Sequence, residues 1–125
     1  MESMTQFSIF MANRPGVLAQ VTRELAKAKV NVLALTMMDA QEHGVLRLLT
    51  DNIEVTRNVL RHVNVSLTET EVLCVPLSNR PGSVADVCER LADAHMQINY
   101  VYCTAGAGTG KANAIFKVPD IKRAI

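Results

Sequence analysis

The sequence predicts an α+β fold of two ferredoxin-like units in tandem, each ordered strand, helix, strand, strand, helix, strand, with antiparallel sheets side by side and helices on one face. Two observations predict it. The segment Asn13-Arg14-Pro15-Gly16 recurs 66 positions on as Asn79-Arg80-Pro81-Gly82. Within each copy the apolar spacing alternates between the strand period and the helix period. The copies divide the chain into a first domain, 1–70, and a second, incomplete domain, 71–125.

The repeat extends well beyond the tetrapeptide. At the same offset Ala19 pairs with Ala85, Val21 with Val87, Leu25 with Leu91, Ala28 with Ala94 and Gly44 with Gly110. Apolar character persists at Ile9 and Val75, Met11 and Leu77, Val32 and Ile98, and Val55 and Ile121. Units of about sixty residues are individually marginal, so sharing buried surface between them is the stable solution.

Each element has its own signal. Phe7 to Ala12 and Glu71 to Leu77 are short apolar runs closed by turn residues, hence strands. After each Pro-Gly, apolar residues take helical spacing: Val17, Leu18, Val21, Leu25 and Ala28, then Val84, Val87, Cys88 and Leu91. The proline suits a helix start, where its missing N–H costs nothing. Residues 31–39 and 97–105 return as strands, followed by strands over 45–50 and 112–118. Ile53 to His62 is a second helix with Val55, Val59, Leu60 and Val63 on one stripe, and Val65 to Thr70 closes the first copy. In the second copy Ile125 falls opposite Val59, leaving the end of its second helix and its closing strand without counterparts. Either the chain has been cut short or a partner supplies the missing edge.

Composition narrows function. A net charge of +1 with few aromatic rings offers neither the basic stripe nor the stacking surface that nucleic-acid binding uses. No run is long and apolar enough for a membrane span. The polar start Met-Glu-Ser-Met-Thr-Gln does not resemble a secretory signal, so a cytoplasmic address is expected. Cys74, Cys88 and Cys103 are odd in number and lack metal-site spacing, so they read as reduced, buried thiols, and no metal or other cofactor is expected. Ala105 to Ala112 superficially suggests a phosphate loop, but it has alanines where that motif needs Gly and Ser or Thr, and it joins two strands. It is expected to be a flexible hairpin.

The repeated segment itself suits a zwitterion. Backbone N–H groups of Gly16, Val17 and Leu18, and of Gly82, Ser83 and Val84, lie at the positive end of a helix dipole, where a carboxylate is favoured. Gly16 and Gly82 permit close approach to the backbone, while Asn13 and Asn79 can both accept from an ammonium and donate to a carboxylate. Pro15 and Pro81 fix the turn. Arg14 and Arg80 either point to solvent or clamp a carboxylate.

With its Asn-Arg-Pro-Gly-Val-Leu segment and the element order above, the chain resembles the ACT domain, an amino-acid-sensing module of metabolic enzymes. The resemblance spans almost the whole chain twice and is similar to stand-alone tandem ACT proteins of bacteria. It implies ferredoxin-like units that pair side by side and bind an amino acid at the seam. In serine-sensing members a His two residues before the motif Asn, that Asn, and an Asn opening the next strand hold the ligand. The matching positions here are Met11, Asn13 and Asn31 in the first copy, and Leu77, Asn79 and Gln97 in the second.

Together these readings predict a non-catalytic regulatory module. A small amino acid would bind at ACT–ACT interfaces and modulate a metabolic enzyme, a regulator or the protein's own assembly as a homodimer or larger homo-oligomer. The alternatives are a purely structural self-association module and, third, a small enzyme dependent on the Cys103 thiol or on a nucleotide at Lys111.

Overall fold

The structure, a computed structural model, describes residues 1–12, 14–39, 43–78, 80–105 and 111–125. They form six strands and four helices. By contact the chain divides into a unit of Thr5–Thr70 and a unit of Met1–Met4 with Glu71–Ile125.

The first unit comprises β1 (Glu2–Met11), α1 (Val17–Lys27), β2 (Val32–Met38), β3 (Gly44–Thr50), α2 (Ile53–His62) and the first part of β4 (Ser66–Ser78). Its strand order is β2-β3-β1-β4. Alternation along β1 turns Phe7, Ile9 and Met11 to the helices, and antiparallel pairing sets Phe7 opposite Leu48 and Ile9 opposite Leu46 of β3. These side chains join Val21 and Leu25 of α1 and Leu60 of α2 in one buried cluster. Each fully buried side chain of this size contributes roughly 1.5–3 kcal/mol. The opposite face of β1 carries Gln6 and Ser8, both buried, with Gln6 Nε2 donating to Ser8 Oγ at 3.3 Å.

Helix ends follow from individual residues. Gly16 precedes α1 in the left-handed region at φ 92°, and no side chain caps that helix. At the other end Lys29 (φ 61°) closes it with hydrogen bonds from Lys29 N–H to Ala26 O and from Val30 N–H to Leu25 O, the Schellman pattern. The α2 start is capped differently: Asn52 Oδ1 accepts from Val55 N–H at 3.1 Å. Thr56, one turn in, shares a 2.7 Å hydroxyl contact with Thr50, which satisfies two buried polar groups at once. Arg57 grips Glu69 of β4 with two 2.7 Å hydrogen bonds, and this guanidinium holds the Glu69 carboxyl below its ordinary value.

In the second unit the remainder of β4 is followed by α3 (Ser83–Asp93), β5 (Tyr100–Ala105), β6 (Lys111–Lys117) and α4 (Ile121–Ala124). Its strand order is β1-β4-β6-β5, β1 entering through the residues before Thr5. Leu73, Val75, Val87, Leu91, Met96, Ala114 and Phe116 form its core. Gly82 repeats the φ of 92°, and His95 (φ 55°) closes α3 with the Schellman bonds that Lys29 makes for α1.

Several expectations are corrected. The closing strand of the first copy and the opening strand of the second are one continuous 13-residue strand, β4, because Thr70 and Glu71 carry no turn chemistry. The constant offset fails within the second hairpin, between β5 and β6. Leu48 faces Phe7, yet its counterpart facing Leu73 is Phe116, 68 positions on. Asp120 and Ile121 accordingly match Asn52 and Ile53, placing Ile125 opposite Arg57 rather than Val59. The α4 helix is a single turn, and β5 starts at Tyr100, later than the sequence suggests. Pro15 and Pro81 lie in the turns before the glycine caps rather than inside the helices. Only Cys74 is buried; Cys88 is half-buried and Cys103, on the edge strand β5, is exposed. Met38, at the end of edge strand β2, is 57% exposed, whereas Met37 beside it packs against the first core.

An added Cβ at Gly16 would meet nothing within 4 Å, and at Gly82 only Arg80 Nη1 at 3.6 Å. Their backbone angle alone therefore sets the cost of replacement. Gly16→Ala and Gly82→Ala should each lose about 1–2 kcal/mol in urea unfolding, with the m-value unchanged. A neutral effect at both would show that the turn relaxes.

Candidate ligand-binding cleft

The turn between β1 and α1 forms one wall of an open cleft of about 320 Å³ in the first unit. That is within the roughly 300–1,000 Å³ range of small-molecule sites. Met11, Ala12, Arg14, Val17 and Gln20 supply this wall, and the turn from α2 into β4 supplies the other with Val63, Asn64, Val65 and Ser66. Phe10 lies at the edge, its ring edge-on to His43 at 5.8 Å. The cleft thus combines a guanidinium, two carboxamides and a hydroxyl with apolar side chains.

Local sequence explains each wall. Asn64 sits at φ 60°, a conformation asparagine tolerates better than most residues, and it terminates α2 through Asn64 N–H to Arg61 O at 3.2 Å. The glycine-led turn brings Arg14 and the first turn of α1 to the same place. Val17 N–H donates to Arg14 O at 3.2 Å, so this donor is already used within the turn. The first intrahelical bond is Gln20 N–H to Gly16 O at 2.9 Å, which leaves the first turn open on the cleft side.

Of the sequence-expected positions, Met11, Arg14 and Val17 line this cleft, Pro15 and Gly16 form the exposed turn beside it, and Leu18 is half-buried against the core. Asn13 and Asn79 lie outside the described residues, as does Gly106–Gly110 of the expected hairpin. Asn31 is not brought to the cleft. It follows the opposite end of α1, which at about 1.5 Å per residue puts roughly 16 Å of helix between them. There its N–H donates to Asp51 Oδ1 at 3.0 Å. The sequence reading missed Gln20, Asn64 and Ser66. An Asn directly after a helical stripe was the available signal for Asn64.

The second unit treats the same turn differently. Arg80 Nη2 lies 3.3 Å from Asp86 Oδ2, and Arg80 Nη1 donates to Pro81 O at 3.1 Å. Asp86 stands where the first copy has Gln20, so here a carboxylate of the chain itself occupies the guanidinium in the first turn of the helix. Both partners are well exposed, and such a pair adds little stability. Ser83 Oγ donates to Ser78 O at 2.6 Å, tying the turn to β4. Leu77 is half-buried at the core, whereas Val84 and Gln97 are exposed, Gln97 beyond the far end of α3.

Two ferredoxin-like units in one chain, the first with an open cleft beside its strand-to-helix turn, define a tandem α+β module. A family model described as an ACT domain pair matches residues 2–124, and the chain belongs to that family. Protein BT0572 from Bacteroides thetaiotaomicron is similar in structure at 27% identity, TM-score 0.89, covering 98% of this chain and 83% of that one. The regulatory subunit of aspartate kinase from Thermus thermophilus shares the fold at 13% identity, TM-score 0.68, over 90% and 81% of the two chains. Aspartate kinase from Synechocystis shares it at 16% identity and TM-score 0.65, covering 99% of this chain but 24% of the kinase. No curated protein matches the chain. No described helix is long and apolar enough to cross a membrane, and the described residues hold no cluster of metal-ligating side chains.

The cysteines give this environment a direct readout. Burial raises the Cys74 thiol above its ordinary value, and the Glu2 carboxylate adds to the shift. Iodoacetamide at neutral pH, followed by peptide mass spectrometry, should modify Cys103 at least about tenfold faster than Cys74. Equal rates would mean that β4 opens readily.

Proposed function

We propose that this ACT domain pair is a non-catalytic, cytoplasmic regulatory module that takes a small amino acid at the first unit's cleft. Binding would alter its engagement of a metabolic enzyme or regulator, or its own assembly. The observation that carries this reading is the difference between the two turns. Arg14 lines an open cleft with Gln20, Asn64 and Ser66, whereas Arg80 is drawn onto Asp86. A ligand carboxylate can meet Arg14 and the open first turn of α1 without displacing an internal acid. Its ammonium can reach the carboxamide oxygens of Gln20 and Asn64. The relatives whose names include an aspartate kinase regulatory subunit support the regulatory class.

Side-by-side pairing and a ligand seam completed by a second ACT domain belong to the same reading. Asn31 and Gln97 would then contribute to a cleft on another domain, since neither lies near the turn of its own unit. Self-association is favoured by edge strand β2, where Leu33, Leu35 and Met38 are 46%, 43% and 57% exposed.

Thermal-shift screening of the twenty amino acids at about 10 mM tests the proposal. With a dissociation constant near 0.1 mM, a concentration of 100 Kd adds about 2.7 kcal/mol and raises Tm by several degrees. Arg14→Ala should lose this response, while Arg80→Ala keeps it. No shift with any amino acid, or equal sensitivity at both arginines, would reject the first-unit site.

A further inference from the structure

We infer that the first unit's cleft selects amino acids with a large aliphatic side chain, the class of leucine, isoleucine, valine and methionine; the inference rests on the reading of that cleft as an amino-acid site. Burial sorts its lining into two sets. Arg14, Gln20, Asn64 and Ser66 are exposed, whereas Met11 is 6% exposed and Val17, Val63 and Val65 are half-buried. Met11 belongs to the first unit's buried cluster, and the three valines pack against it. Along residues 63–66 the two sets alternate, so Val63 and Val65 turn to the core while Asn64 and Ser66 turn to solvent. The polar groups therefore make the rim, and hydrocarbon lies beneath. A zwitterion held at the rim leaves that hydrocarbon for its side chain to cover.

The cleft offers little to other side chains. Among the described residues that line it, Arg14 is the one ionisable group. Once a ligand's α-carboxylate has taken Arg14, an acidic side chain finds no second cation there and a basic one finds no acid. A hydroxyl laid on Met11 and the valines would give up water without gaining a partner. Hydrocarbon gains instead, since each methylene fully covered adds roughly fourfold in affinity. Met11 adds tolerance of shape: an unbranched thioether follows branched and linear chains alike, which makes the selection one of class.

The second copy shows what a polar version of this turn looks like. The counterpart of Val17 is Ser83, 7% exposed, whose hydroxyl donates to Ser78 O at 2.6 Å. The counterpart of Gln20 is Asp86, whose Oδ2 lies 3.3 Å from Arg80 Nη2. Both positions there are polar and are satisfied within the turn. In the first copy the same two positions carry a valine and an uncharged amide, so hydrocarbon lines the cleft next to a neutral hydrogen-bonding group. Val17 is thereby assigned as a specificity-determining residue. A serine is compatible with this turn, as Ser83 demonstrates in its own copy.

Isothermal titration calorimetry of the full chain with leucine, methionine, alanine, serine, threonine, aspartate and lysine tests the inference. Leucine and methionine should bind at least about tenfold more tightly than alanine, serine or threonine, with aspartate and lysine weaker still. Val17→Ser should narrow the leucine-to-alanine ratio at least about threefold by deleting part of the apolar surface. Val63→Thr, which keeps the side chain's shape, should narrow it in the same direction and keeps the test decisive should Val17→Ser fold poorly. Arg14-dependent binding of serine, threonine, aspartate or lysine as tight as that of leucine would overturn the inference while leaving the amino-acid site standing. So would a leucine-to-alanine ratio unchanged in both valine variants. Absence of binding by all seven would overturn the inference too, and, with no thermal shift from the other thirteen, the amino-acid site as well.

Discussion

A backbone angle available at low cost only to glycine governs the layout of each unit. At φ 92°, Gly16 and Gly82 let the chain leave an extended strand and enter a helix within a few residues. The helix then returns over the strand face that carries Phe7 and Ile9 in one copy, and Leu73 and Val75 in the other. With that reversal in place, the helical spacing of Val21 and Leu25, or of Val87 and Leu91, reaches the sheet without further adjustment. The same turn exposes the first N–H groups of the helix next to an arginine. Fold and candidate chemistry therefore arise from one local constraint.

On that common plan the two copies have diverged by a few substitutions with large local consequences. Gln20 against Asp86 decides whether the arginine of the turn is available or engaged. Glu24 against Arg90 reverses the charge on the helix flank. None of these changes disturbs either buried cluster, which is why the copies can differ in surface chemistry while keeping the same fold.

Much of this was legible in the sequence because its signals were periodic. The helices at Val17, Ile53 and Ser83 were evident from apolar residues three and four apart, and the α+β class from strands alternating with them. What could not be read depended on pairing between distant segments. The continuity of β4 and the entry of Met1–Met4 into the second unit are set by cross-strand partners, about which local sequence says nothing. The change of offset after β5 was hidden because Val55 and Ile121 match in character by coincidence. At the cleft, the motif announced Arg14 and Val17, but Asn64 and Ser66 arrive from fifty residues away through the fold. The exposure of Cys103 and Met38 likewise reflects the lateral position of their strands rather than their composition.

The continuous β4 also limits how the duplicated gene can change length. Because side chains alternate sides along a strand, inserting or deleting one residue near Thr70 would exchange Val72 and Cys74 with Leu73 and Val75, turning a whole face inside out. A change of one residue there would have to be absorbed by a bulge, as the register shift between Val32 and Ala34 absorbs one in β2. The copies differ by two residues between β5 and β6, after which Phe116 still faces the helices as Leu48 does. A strand buried on both faces over Val72–Val75 thus acts as a reading frame at the level of structure, in which each residue's place in the alternation decides which side chains it meets.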